Sequence, residues 1–304
     1  VYKRQGKDSW FLSSMISSLF RYPGGKAKLA KIIAGNLSDF LVKHPNYEYR
    51  EPMVGGASIA LMLLAHPSVK KVWINDKDYS IACIWTAVTQ YPDQLCNKIS
   101  LFKPSVESFH EFQKFLKSEK SEKSVDVIDV AFKKIALHQI SYSGLGTKSG
   151  GPLGGSEQDS EYTIDCRWNP RTIISRIKRL HKILKLKLRY GICTSYDYEI
   201  LLDSPENAVL YLDPPYFVKG DELYEVGFSK DDHKRLADML VNLQSPWVLS
   251  YDDCEEIRKL YDWAVCREVS ANYTINQSRQ KTELLICSEK YKSLGHISRQ
   301  NDLF

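Results

Sequence analysis

Apolar positions along the chain recur with two different periods. From Lys28 to Leu41 they fall at Leu29, Ile32, Ile33, Leu37, Phe40 and Leu41, the three-to-four spacing of a helix with one buried face. Ser58–Ala65, Tyr79–Tyr91, Lys230–Leu243 and Cys254–Tyr261 also read as helices. Between them lie short apolar or alternating runs bounded by turn residues: Tyr47–Arg50, Val69–Asn75, Leu186–Gly191, Ala208–Leu212, Trp247–Ser250, Trp263–Val269 and Glu283–Ser288. Strands such as Ala-Val-Leu-Tyr-Leu have no polar face, so they belong inside a sheet covered on both sides. Alternation of such strands with helices predicts an α/β fold.

One stretch breaks the alternation. Helical segments at Ser105–Leu116 and Val125–Ile140 are followed by a loop from Ser141 to Pro170, and six of the sixteen glycines fall within Gly144–Gly155. A loop of this length inside a compact domain is functional or disordered. Residues 101–170 therefore read as a mainly helical insert set into a catalytic domain formed by 15–100 and 171–304. The run Lys117–Ser124 is a solvated connection. Residues 1–14 are expected to be extraneous: Val1-Tyr2-Lys3-Arg4-Gln5 reads like the translation of a sequencing-library transposon end, and Met15 stands just before the first motif. They lack the apolar core of a signal peptide.

Composition adds little until it is mapped. The 304 residues carry 42 Lys+Arg and 37 Asp+Glu, a formal charge of +5, with 43% hydrophobic residues, which are globular proportions. No apolar run approaches the ~18–20 residues of a membrane span, so a soluble protein is expected. The seven cysteines are odd in number and never closer than 12 positions, which excludes a disulfide scaffold or CxxC knuckle. The seven histidines make no HExxH or paired-ligand spacing, so no metal is expected. The charge, however, is unevenly placed: nine Lys/Arg and no acid lie between Arg167 and Cys193, against eleven acids and five bases between Asp221 and Asp262. Such a split suits a polyanion on one face, although long basic side chains also simply solvate an amphipathic helix.

Three constellations carry chemistry. Asp213-Pro214-Pro215-Tyr216 follows the buried strand Val209–Leu212, where ligands of open α/β sheets bind. Its two prolines stiffen the turn, holding a carboxylate, a carbonyl and an aromatic ring in fixed relation, an array suited to a planar exocyclic amine. Arg21-Tyr22-Pro23-Gly24-Gly25-Lys26 enters a helix and offers backbone N–H groups and a cation to an anion, without the GxxxxGK[ST] spacing of a phosphate loop. Glu51-Pro52-Met53-Val54-Gly55-Gly56-Ala57-Ser58 is a strand–glycine turn–helix, and Asp76 ends the next strand twenty residues after Gly56. That is the logic of a nucleoside site with a carboxylate for ribose, and the missing GxGxxG argues against a dinucleotide and an NAD-type oxidoreductase.

In this order, the elements from Arg21 to Ser288 resemble the Dam-type (D12 class) DNA adenine-N6 methyltransferase family. The tail Arg279-Gln280-Lys281-Thr282-Glu283-Leu284-Leu285-Ile286 also resembles that family's closing strand. The resemblance implies a Rossmann-like S-adenosylmethionine-dependent methyltransferase sheet with an inserted target-recognition domain. The implied activity is methyl transfer from S-adenosylmethionine to N6 of an adenine flipped out of double-stranded DNA. Tyr22, Lys26, Glu51, Gly55, Asp76 and Asp197 would contact the cofactor, with Lys26 near its methionine carboxylate, Asp76 on the ribose and Asp197 on the adenine. Asp213, Pro214, Pro215 and Tyr216 would hold the target base. Phosphate contact is expected from Arg167, Arg171, Arg176 and Lys178, and groove contact from the loop polar residues Ser143, Thr147, Lys148 and Ser149. The chain departs from the family's F-x-G-x-G turn at Met53 and Ala57, the latter bearing backbone constraints that glycine lacks. Cytosine-N4 methylation shares the pocket logic, and a non-catalytic nucleic-acid-binding module is the alternative from another class. The implied setting is a monomer in the cytoplasm of a prokaryotic host or phage-infected cell, with a cognate restriction enzyme as its conceivable companion.

Overall fold

The computed structural model describes residues 18–20, 27–118, 126–203, 207–218, 226–271 and 281–295. Among these, six strands form one sheet in the order β2-β1-β3-β4-β6-β5: β1 Glu48–Glu51, β2 Val72–Ile74, β3 Ala208–Leu212, β4 Trp247–Asp252, β5 Val265–Ala271 and β6 Lys281–Cys287. β2, β1, β3 and β4 pair in parallel, whereas β6 lies antiparallel to both β4 and β5. The sheet is thus mostly parallel with one reversed strand near its edge.

Period-two alternation feeds two cores. Val209 and Tyr211 of β3, Val248 of β4 and Leu285 and Cys287 of β6 join one buried cluster. Ala208, Leu210, Leu212, Trp247, Leu249, Leu284 and Ile286 join another on the opposite face. The helices are α1 Ala27–Lys43, α2 Ser58–Leu64, α3 Tyr79–Gln90, α4 Pro92–Leu101, α5 Val106–Leu116, α6 Val127–Ile140, α7 Pro170–Lys187, α8 Glu199–Leu202, α9 Lys230–Asn242, α10 Glu255–Leu260 and α11 Glu289–Gly295. Their starts follow side-chain chemistry: Ser105 and Ser229 close capping boxes on α5 and α9, and Asp78, Asp126 and Asn169 cap α3, α6 and α7.

Two expectations change. The run Leu186–Gly191 is not a regular strand, because Leu186 and Lys187 complete α7 and the chain then makes only isolated parallel bridges, from Leu188 to Val72 of β2 and from Thr194 to Asn75 just beyond it. Residues 92–101 form a helix that the apolar pattern did not disclose; Pro92 starts it at the position where proline's missing N–H costs nothing. The buried faces of α5 and α6 share one hydrophobic cluster with α3, α4 and α7. The glycine-rich loop is internally bonded: Tyr142 N–H meets Gly151 O at 3.0 Å, Leu153 N–H meets Ile140 O at 2.8 Å and the Gln113 amide donates to the carbonyls of Thr147 and Ser149.

Strand β1, Glu-Tyr-Arg-Glu, is fully buried although three of its four residues are acidic or basic. Alternation explains the tolerance. On one face Arg50 donates to Glu48 Oε1 at 2.9 Å and to Leu201 O at 2.8 Å, and Arg189 reaches the same carboxylate at 2.8 Å. On the other, Tyr49 OH donates to Glu51 Oε2 at 2.6 Å.

Candidate active site

Three acids converge at the carboxyl ends of neighbouring strands. Glu51 closes β1, Asp76 follows β2 and Asp213 follows β3. Burial pushes the Glu51 carboxyl up to about 8, with the Asp213 and Asp76 charges adding to the effect; the Tyr49 hydroxyl bond only partly opposes it. Asp76 accepts the Gly55 N–H at 2.8 Å and the Asp78 N–H at 2.9 Å. Its carboxyl is raised to about 7, by burial first and then by Asp78. Burial also raises Asp78, but Lys134 at 3.0 Å and the hydroxyl and N–H of Ser80 reverse this and hold it below the ordinary value. Lys134 itself is buried on α6, so that helix brings a cation to the segment next to Asp76.

The glycine turn is built for a close approach. Gly55 has φ 43° and Ala57 φ 56°, both left-handed, before α2 begins at Ser58. The turn is tied down where Val54 N–H meets Asn75 O and where the Trp85 indole donates to Gly55 O, both at 2.9 Å. Asn75 bridges two segments, donating to Pro52 O and Tyr196 O while accepting from Tyr196 N–H and Thr194 Oγ1. It thereby brings Ser195-Tyr196-Asp197 beside the turn. Asp197 pairs with Lys77 at 2.9 Å and lies 3.8 Å from Arg235; burial raises its carboxyl, and those cations together with the Glu199 N–H carry it below the ordinary value.

Asp213 to Tyr216 leave β3 with both prolines buried. Ser250 donates to Asp213 Oδ1 at 2.9 Å and shares a 2.8 Å hydrogen bond with Tyr211 OH. Tyr216 OH donates to Glu283 Oε1 at 3.1 Å, and Asp252 accepts the N–H groups of Phe217 and Val218 at 2.9 and 3.0 Å. Sequence reasoning missed Asn75, Lys134, Ser250, Asp252 and Glu283. A signal existed for Ser250 and Asp252, polar residues at the carboxyl end of an apolar strand. Lys134 was visible as one of two adjacent lysines in a largely apolar helix.

The structure thus brings Glu51, Gly55, Asp76, Asp197 and Asp213–Tyr216 to one rim. Tyr22 and Lys26, and the residues 1–14 expected to be extraneous, lie outside the described residues. Among the described residues before Tyr22, the Phe20 ring packs 4.9 Å from His138, and Gln139 donates to Leu19 O. Ser143 and Lys148 are exposed on the glycine-rich loop, whereas Thr147 and Ser149 turn inward, Ser149 Oγ donating to Tyr142 O and Gly151 O. Arg171, Arg176 and Lys178 are exposed on α7 and Arg167 is half-buried. Two cations of the basic stretch serve the fold instead: Arg189 binds Glu48, and Lys187 donates to the carbonyls of Leu64 and His66 at the end of α2. No group of three or more metal-ligating side chains occurs among the described residues, and none of their helices is long and apolar enough to cross a membrane.

A mostly parallel sheet with acids at adjoining strand ends and a glycine turn is consistent with a methyltransferase fold. The model of the D12 class N6 adenine-specific DNA methyltransferase family matches residues 22–275, and the chain belongs to that family. Membership makes it a DNA adenine-N6 methyltransferase. No curated protein matches the chain significantly.

Proposed function

We propose that the rim around Glu51, Asp76 and Asp213 binds S-adenosylmethionine beside an adenine flipped out of double-stranded DNA, and that the chain methylates this adenine at N6. The observation that carries the reading is the adjacency of β1 and β3, which sets the glycine turn next to Asp213-Pro214-Pro215-Tyr216. The donor set fits the cofactor. Asp76 offers carboxylate oxygens to ribose hydroxyls while already holding the Gly55 N–H, so the turn presents negative charge and disfavours a phosphate. Glu51 adds a second acid against the turn, Asp197 faces the adenine, and Tyr22 and Lys26 complete the cofactor set. S-adenosylmethionine, when bound, supplies an electrophilic methyl group on its sulfonium.

The chain's own residues handle the base. Flipping costs on the order of a few kcal/mol, which stacking on Tyr216 partly offsets. Asp213 and the Pro214 carbonyl each accept one N–H of the exocyclic amine and draw N6 toward a tetrahedral lone pair. Asp213 then takes the released proton or hands it to water. Pro215 adds rigidity, so the acceptors need little reorganisation. Residues 101–170 act as the target-recognition insert, with Ser143 and Lys148 at the groove and Arg167, Arg171, Arg176 and Lys178 on phosphates. We take the active species to be a monomer in the cytoplasm, alone or alongside a restriction enzyme.

Labelled methyl transfer to unmethylated duplex DNA of mixed sequence tests this. Wild type is expected to label DNA as N6-methyladenine on nucleoside digestion, and Asp213→Ala to label none. No transfer by wild type on several such DNAs, or full transfer by Asp213→Ala, overturns the reading.

A further inference from the structure

The Asp213–Tyr216 turn has a mechanical problem. Its two prolines lack N–H groups, so it cannot be secured by the backbone donors that normally anchor a turn. The neighbouring strand β4 and the reversed strand β6 beyond it supply anchors. β3 and β4 run parallel with Leu212 opposite Leu249, and continuing that register by one sets Asp213 beside Ser250, whose hydroxyl donates to it at 2.9 Å. Two residues on, and therefore on the same face, Asp252 accepts the first consecutive pair of N–H groups beyond the tyrosine, those of Phe217 and Val218. Glu283 of β6 is the direct cross-strand partner of Asp252, is buried, and accepts the Tyr216 hydroxyl at 3.1 Å. Each chemistry-bearing point of the turn is thus held by one polar side chain from β4 or β6.

We propose that Ser250, Asp252 and Glu283 are positioning residues that set the geometry of the target-base pocket. Ser250 orients the Asp213 carboxylate, Asp252 fixes the exit of the turn, and Glu283 fixes the plane of the Tyr216 ring. The assignment to a base pocket rests on the reading above; the clamp itself rests on the hydrogen bonds. It also gives the reversed strand a task, since β6 runs against β4 and so sets Glu283, near its start, opposite Asp252 at the carboxyl end of β4.

The test pairs amide hydrogen exchange with kinetics. Asp252→Ala is expected to speed exchange at Phe217 and Val218 by about tenfold or more, with the amides of β3 unchanged. Its kcat is expected to fall by roughly 10–100-fold, while S-adenosylhomocysteine binds within about twofold of wild type. Asp252→Asn, keeping one acceptor oxygen, falls between the two and serves if the alanine variant does not fold. Glu283→Leu lowers kcat, and Glu283→Gln, whose amide oxygen still accepts the tyrosine hydroxyl, restores most of it. Unchanged exchange at 217 and 218 in the folded Asp252 variants, or unchanged kcat, overturns the clamp. A wild type that transfers no methyl group sinks the methylation reading instead, and the exchange result then decides the clamp by itself.

Discussion

Glu51 and Asp76 are buried carboxyls whose protons leave near neutrality, at about 8 and about 7. Folding raises both above their ordinary values of 4.5 and 3.8, so the folded chain binds more protons than the unfolded chain between those limits. Stability therefore declines as pH rises through that window, and Glu51→Gln, which cannot ionise, is expected to flatten the decline in thermal melts. Cofactor affinity should move the other way, because ribose hydroxyls and a sulfonium favour ionised acids. Calorimetric titration should show tighter binding as pH rises from about 6 to about 8.5, and Asp76→Asn should lose most of that slope. Ala57 poses a different residue-scale question. Its left-handed backbone costs roughly 1 kcal/mol, and its buried methyl returns roughly 0.8, so Ala57→Gly should leave stability within about 1 kcal/mol. Ala57→Val, with a branched side chain in the same conformation, should lower stability by about 2 kcal/mol or more in denaturant titrations.

Helix α7 shows how an element's direction reassigns its charges. α7 ends level with Val72, the first residue of β2, and its His181 meets Val88 O near the far end of α3, the helix that leaves the rim at Asp78. The helix therefore descends from the rim side toward the amino ends of the strands, over about 27 Å at 1.5 Å per residue. Arg171 and Arg176 lie in its upper half, while Lys182 and Lys185 lie at the far end. Paired substitutions Arg171→Ala/Arg176→Ala are expected to weaken DNA binding and reduce its salt slope by about 2, whereas Lys182→Ala/Lys185→Ala should change it little. Equal effects from the two pairs would contradict this placement. The same helix explains the strand expected at 186–191: Leu186 is exposed, and its apolar neighbours satisfy helical spacing as well as strand spacing. Helix α4 escaped notice because it follows α3 after a single residue, with no loop to mark the break.

At the scale of the whole molecule, the ion network beneath β1 ties distant segments together. Glu48 binds Arg50 and Arg189 and lies 3.3 Å from Lys71, while Arg50 also reaches Leu201 O. Removing the carboxylate takes from the buried Arg50 guanidinium the acid 2.9 Å away, so Glu48→Ala should cost about 3 kcal/mol, read as a lower melting temperature. Helices α5 and α6 are joined just as firmly to the rest, through a shared hydrophobic cluster and through Lys134 on Asp78. Lys134→Met is expected to weaken cofactor binding by calorimetry although the side chain lies outside the catalytic segments, because the unpaired Asp78 charge would push Asp76 still further from ionisation.

The chain's apolar periodicity determined the α/β architecture, because strands without a polar face have to be covered on both sides. Strand-end placement similarly disclosed Asp76 and Asp213, since side chains beyond a parallel strand have only one rim to occupy. The partners of those acids were decided in three dimensions. Asn75 meets Tyr196, Lys134 meets Asp78 and Glu283 meets Tyr216 across 121, 56 and 67 positions of sequence. Which polar side chain ends up opposite which depends on strand order, register and helix direction, and local spacing encodes none of these.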